Sequence, residues 1–484
     1  MAEQLDLLIS GGTVVTMDGT FRVIADGAVG IRAGRLVVVG PASTITEDYA
    51  ATRTIDATGK IVMPGLVDAH AHAGHGLTKG LLEGRGKGWM ELMETLYHRA
   101  STPAFWYAEG LLSALERLQF GVTTGLSLPG SLPRIDDLRY VGESIRAHEE
   151  VRIRYIAAVG PPVGPWPRTF ANWDSGQPQE RELSLDEALD KTEEAIAAFH
   201  GRADGRIRVY PTPSNITMDP NGKLDGPDPR PDSIQVGRAI RRMADRYRVP
   251  IHTHAFGGMI RQVARGYPEL LGPEISIAHC TGLDAEEVRI LGEAAASVAH
   301  GPLTYAVVHA WCPVMELLEA GANVVISTDA SSPDRSYDLL AQVHPAIQLQ
   351  RVHYQDGAVL PGGKALAMVT IDAARALGMQ DEIGSLEIGK KADLILIDAQ
   401  RPHFHPFVAE LAPHRLAYMA TGQDVQTVIV DGRILMEDRQ ILTTDTQAAL
   451  VAADAEAWSA LRRAEATDAL PLPRDFWTAL RYRR

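Results

Sequence analysis

Cysteine is nearly absent from this chain. Only Cys280 and Cys312 occur in 484 residues, too few for a disulfide framework, so a reducing cytoplasm is the expected setting. No apolar run is long enough to read as a membrane span, and Met1 to Asp6 shows no basic segment leading into an apolar one. Neither a membrane nor a secretory signal is therefore expected. Positive charge is in deficit, with 47 Lys and Arg against 61 Asp and Glu and a formal net charge of −14. That balance argues against a general affinity for nucleic acid or anionic membrane, and by itself names no partner. Internal repeats and low-complexity linkers are missing as well. A content of 45% hydrophobic and 22% charged residues excludes a disordered or fibrous chain, and the length allows one large barrel plus a smaller module.

Within these bounds the chain changes character twice. Residues 1–60 carry short β-rich runs, Asp6 to Val15, Ala28 to Ile31 and Leu36 to Val39, punctuated by Gly11-Gly12, Asp26-Gly27 and Ala33-Gly34, a hairpin pattern. From Ile61 apolar strands alternate with helical stretches, the signature of βα units. Eight strands are predicted: Ile61 to His72, Val122 to Leu128, Arg152 to Gly160, Arg206 to Ser214, Val249 to Ala255, Ile275 to Cys280, Ser297 to Pro302 and Asn323 to Ala330. Eight such units suggest a (β/α)8 barrel with its chemistry at the C-terminal strand ends. β character returns over Ile383 to Asp398 and Val425 to Val430, and Thr446 to Glu465 reads as a helix by propensity. The expected division is a β domain from 1–60 and 381–440, a barrel over 61–380 and a helical tail over 441–484. Two long loops, Gly160 to Gln179 and Thr212 to Ser233, follow barrel strands and are expected to lie over the site.

Histidines mark the predicted strand ends. His70 and His72 are two residues apart, so on one extended strand both imidazoles face one point, half of a metal site. His252 and His254 end the fifth strand, His279 the sixth, His300 the seventh and Asp329 the eighth. Imidazole and carboxylate converging on one barrel mouth is the donor set of a first-row divalent ion.

At these residues the chain resembles the amidohydrolase superfamily. Pro64 to His72, Ile251-His252-Thr253-His254, Ile277-Ala278-His279, Ser327-Thr328-Asp329 and Gly384-Ser385-Leu386-Glu387-Ile388-Gly389-Lys390-Lys391-Ala392-Asp393-Leu394 are similar to its motifs, so the resemblance spans almost the whole chain. It implies a distorted (β/α)8 TIM barrel with a small discontinuous β-sandwich domain from both termini, and relatives that are commonly oligomeric. It implies His70, His72, His254 and Asp329 as metal ligands, with Asp329 also the base and acid. His279 would be a catalytic group, either a ligand or a donor to substrate. His300 is the further candidate for contact with a small-molecule substrate. His252 is expected behind the ligands, His75 in a solvated loop, and Cys280 as a small buried hydrophobe. A divalent ion would acidify water from a pKa of about 15.7 toward 7. Zn2+ is expected first, while Fe2+, Mn2+ and Co2+ suit the same donors.

Two departures narrow the chemistry. Many deaminase and chlorohydrolase relatives carry a Glu three residues after the strand-five histidine, where it passes a proton to a ring nitrogen. Here that residue is Gly257. Dinuclear relatives bridge two ions with a carbamylated lysine ending strand four, and Arg206 to Ser214 contains no lysine. One ion and an amide, urea, carbamate or thiocarbamate substrate are expected, with deamination of a nitrogen heterocycle, or a catalytically silent scaffold, as the alternatives. Trp89, Trp106, Trp166, Trp173 and Trp311 are candidates for the mouth, although most tryptophans of a barrel pack its interior.

Overall fold

Parallel pairing accounts for every barrel strand in the computed structural model, which describes residues 3–83, 87–130, 133–219, 226–304, 310–472 and 474–478. One arc runs in the order Ile207–Pro211, Arg154–Val159, Val122–Pro129, Leu66–Asp68, with His72–Ala73 added on Val122–Pro129. The other runs Ile251–Phe256, Ile275–Thr281, Ser297–His300, Asn323–Ile326. Single bridges, Ala71 to Asp329 and Asn215 to His254, join the arcs into a distorted (β/α)8 barrel. At those seams the Asp329 N–H donates to the His70 carbonyl at 3.0 Å and the Ile216 N–H to the His254 carbonyl at 2.9 Å. Both seams thus fall on predicted ligands, and the continuous ladder gives way where side chains must turn inward. Apolar strand residues such as Val67, Leu126, Ile156, Ala278, Ala299 and Val325 fill the barrel below them.

The first predicted strand is two strands. Lys60–Pro64 pairs with Glu3–Val15 and Leu394–Asp398 in a separate sheet, and only Leu66–Asp68 joins the barrel. Gly65 makes the turn, because a Cβ there would lie 2.2 Å from Thr123 Oγ1. His70 and His72 therefore do not share a regular strand: His70 is irregular, and His72 begins a two-residue one. The second sheet has nine strands drawn from both ends of the chain. It encloses its own core of Leu7, Ile9, Val29, Leu394, Leu396 and Ile429, the β-sandwich flank of the barrel. Tyr49–Asp56 is a strand that periodicity missed, and Ile383 to Asp398 is strand only over Leu394–Asp398.

Other loops carry more structure than their composition suggests. Gly160 to Gln179 contains Arg168–Asn172, which pairs with Gln179–Leu183 as a hairpin. Of Thr212 to Ser233, residues 220–225 lie outside the described residues. The tail forms the helix Thr446–Arg463, and its Ala453, Ala460 and Leu461 pack with Leu77, Trp89 and Tyr97 beside the first ligand motif. Among the described residues no helix is long and apolar enough to cross a membrane.

Candidate metal centre

Five predicted site residues come together at the barrel mouth. The ligand atoms of His70, His254 and His279 lie within 4.8 Å of one another, as do those of His70, His72 and Asp329. Asp329 Oδ1 is the common neighbour, 3.0 Å from His70 Nε2, 3.4 Å from His72 Nε2 and 3.9 Å from His279 Nε2. All five side chains are buried.

Hydrogen bonds fix the tautomers. His72 Nδ1 is 2.9 Å from the Gly130 carbonyl and His254 Nδ1 is 2.6 Å from that of Ser214. A carbonyl only accepts, so both Nδ1 atoms carry the proton and both Nε2 atoms present lone pairs. Those Nε2 atoms face each other at 3.3 Å, two acceptors with no proton to share. A cation between them resolves the conflict, and with the Asp329 carboxylate alongside, the donor set fits a divalent metal ion.

Burial supports the same state. Burial pushes His70, His254 and His279 below the ordinary imidazole value, the last to about 3, which keeps them neutral at pH 7. Burial pushes Asp329 up, but its close polar contacts with the His70 and His72 rings and the positive charge of Arg335 outweigh it and hold this carboxylate well below its usual range.

Supporting residues surround the five converging side chains. His252 Nε2 lies 2.8 Å from His70 Nδ1, so with Nε2 of His70 turned to an ion the Nδ1–H goes to His252, the orienting role expected of it. Sequence reasoning missed Asp68, whose carboxylate accepts from the Thr328 hydroxyl at 2.6 Å and the Thr328 N–H at 3.1 Å, tying strand one to strand eight. It also missed Tyr337, whose hydroxyl donates to the His72 carbonyl at 2.9 Å. Asp68 sits inside the strand-one motif and could have been flagged. Tyr337 lies in a loop with no such signal.

His75 corrects its expectation. It is fully buried, edge-on to His72 with ring centroids 5.3 Å apart and stacked on Trp89 at 5.4 Å, and its Nδ1 lies 3.2 Å from the Tyr97 hydroxyl. Of the five candidate tryptophans, Trp89 is the one shown stacked on a residue beside the ligands. Trp106 is buried and donates to Ser101 at 2.9 Å, Trp173 donates to the Arg99 carbonyl at 2.7 Å, Trp311 stacks on His353 at 3.9 Å, and Trp166 packs half-buried against the core. Cys280 is a buried small side chain, and burial pushes its thiol well up. His300 is buried at the end of its strand, its imidazole lowered to about 3 by burial, and is not among the converging ligand atoms.

Gly257 is enforced by its surroundings. A Cβ at this residue would lie 2.1 Å from the Gly282 carbonyl oxygen, and Gly257 N–H already donates to the Thr281 carbonyl at 2.9 Å. Gly257→Ala is expected to destabilise the fold by about 1–3 kcal/mol, the range for overpacking; a thermal midpoint equal to that of the parent would contradict the clash.

A parallel barrel with imidazoles and an aspartate converging at its mouth defines a metal-dependent hydrolase. The amidohydrolase family model matches residues 61–435, and the chain belongs to that family. It is an enzyme of carbon–nitrogen bonds other than peptide bonds. It is 34% identical over 450 residues to a 5-methylthioadenosine/S-adenosylhomocysteine deaminase of Symbiobacterium thermophilum, covering 89% of this chain and 94% of that one. It is 28% identical to a 5'-deoxyadenosine deaminase of Methanosarcina acetivorans, covering 95% and 100%. Its fold is similar to that of a zinc-bound adenosine deaminase from Xanthomonas campestris, with a TM-score of 0.78, 23% identity and coverage of 96% and 100%. A zinc complex of atrazine chlorohydrolase from Arthrobacter aurescens gives 0.73 and 23%, covering 93% and 100%.

Proposed function

We propose that this enzyme hydrolyses the carbon–nitrogen bond of an N-substituted amide, urea, carbamate or thiocarbamate and releases an amine. His70, His72, His254 and Asp329 would hold one divalent ion, zinc first, and His279 and His300 would face the substrate. The observation carrying this reading is Gly257. Deaminating an aromatic ring calls for an acid to protonate a ring nitrogen. The residue at which such relatives carry Glu is here closed to any side chain by the Gly282 carbonyl. An amide-like carbonyl needs no ring protonation. When bound, the ion supplies a Lewis acid and lowers the pKa of water. Asp329, through Oδ1, takes the proton of the attacking water and returns it to the departing nitrogen. The neutral His279 donates toward the substrate oxygen.

A second reading, deamination of a nitrogen heterocycle, draws on the relatives, whose names are those of adenosine-type deaminases. Their names favour it over the first. A panel of N-aryl ureas, carbamates, thiocarbamates, amides and aminopurines, scored for ammonia against larger amines, separates the two. Larger amines from the first four classes are expected, and ammonia from aminopurines alone would replace the first reading by the second. A cytoplasmic homo-oligomer is the setting this proposal assumes, and light scattering of the purified protein tests its assembly.

A further inference from the structure

The two oxygens of Asp329 have different surroundings. Oδ1 faces the histidines. Oδ2 accepts from the Thr304 hydroxyl at 2.9 Å, and Arg335 Nη1 stands 3.5 Å away. Arg335 Nη1 also donates to Thr304 Oγ1 at 3.2 Å. An arginine can only donate, so the threonine oxygen is the acceptor and its single proton is directed at Oδ2. Arg335 is in turn anchored through Nη2 to the Ser332 carbonyl at 3.1 Å. Ser332 Oγ receives the Trp89 indole N–H at 3.2 Å and donates to the Thr78 carbonyl at 2.9 Å. The Arg335 side chain is 4% exposed, so this is no solvated surface pair.

We propose that Arg335 and Thr304 form a one-way hydrogen-bond relay that fixes Oδ2 of Asp329 and leaves Oδ1 as the oxygen that binds the ion and carries the proton. The need for such a clamp lies in the backbone. Asp329 has φ 64°, a left-handed conformation that a non-glycine residue keeps only when its surroundings over-determine it. Gly301 allows the approach, since a Cβ there would lie 2.6 Å from Thr304 Oγ1 and 3.4 Å from Asp329 Cβ. Arg335 and Thr304 are thus positioning residues acting through Asp329. The relay rests on the proposed role of Asp329 but not on the identity of the substrate.

Cobalt-loaded protein tests it without a substrate, because the visible spectrum of Co2+ reports its ligand geometry. Thr304→Val, which replaces a hydroxyl by a methyl of similar size, and Arg335→Met are expected to change that spectrum. They should also speed loss of Co2+ to a chelator about 10-fold, and lower kcat on any substrate found about 10–100-fold with little change in KM. Arg335→Lys, which keeps a donor, should recover part of each. If Arg335→Met fails to fold, Thr304→Val carries the test. Spectrum, release rate and kcat all within about twofold of the parent for Thr304→Val would overturn the relay, twofold being well inside the 10–100-fold expected of an outer-shell partner. A parent that loads cobalt, whose variants show the spectral change, yet that turns over none of the panel would remove the substrate reading and leave the relay standing.

Discussion

Asp329→Asn should abolish turnover, lowering kcat by at least about 10^3-fold, because in the proposed mechanism it removes both a metal ligand and the group that moves the proton, and general acid–base catalysis alone accounts for about 10^2–10^4. Asn is the informative replacement. It keeps the shape of the side chain and tolerates the left-handed φ of 64° at this residue, where Ala would add backbone strain to the loss of chemistry. The N–H of residue 329 still reaches the His70 carbonyl, so the seam of the barrel survives. The measurement is kcat beside the thermal midpoint of the metal-loaded variant. Turnover at the parental rate would remove Asp329 from the reaction, and a collapsed midpoint would call for the Glu variant.

Metal removal has the next largest expected effect. Dialysis against a chelator should eliminate turnover, and one equivalent of Zn2+ per chain should restore it, since Arg206 to Ser214 offers no bridging lysine for a second ion. Full activity in metal-free protein, or two ions per chain at saturation, would contradict a single site. Acid should mimic the chelator, in a direction set by burial. His70, His254 and His279 have folded values below their ordinary 6.5, about 3 for His279. The folded state therefore binds fewer protons than the unfolded one in that window. Stability from these groups is complete above pH 6.5 and is lost as pH falls toward the folded values. The thermal midpoint of metal-free protein should decline on acidification through this range. A midpoint flat from pH 6.5 to about 4 would mean that these imidazoles are not held neutral by the fold.

The strands and most of the residues that converge at the mouth were legible in the sequence because both are local. Val122–Pro129, Ile275–Thr281 and Ser297–His300 are buried along their whole length, and their Val, Leu, Ile and Ala residues form short apolar stretches of the kind a strand buried on both faces carries. Side chains that end such strands inherit their position from the barrel. The break at Gly65 was hidden because both flanking strands are apolar, and only the sheet they join tells them apart. His75 was misjudged because exposure depends on what covers a loop, here Trp89 and Tyr97.

What the sequence determined by itself was the barrel, its β-sandwich flank, the residue types at the mouth and the missing Glu at Gly257. The barrel and the residue types at its mouth follow from periodicity and local motifs, and the β-sandwich flank and the missing Glu from the family resemblance those motifs carry. Only the tertiary structure decided that Gly257 has no room for a side chain, that His72 and His254 oppose their lone pairs, and that Thr304 and Arg335 hold one oxygen of Asp329. Those facts arise between segments far apart in the chain, where a carbonyl, a hydroxyl or a guanidinium acts by its distance and direction, and neither is written in residue order.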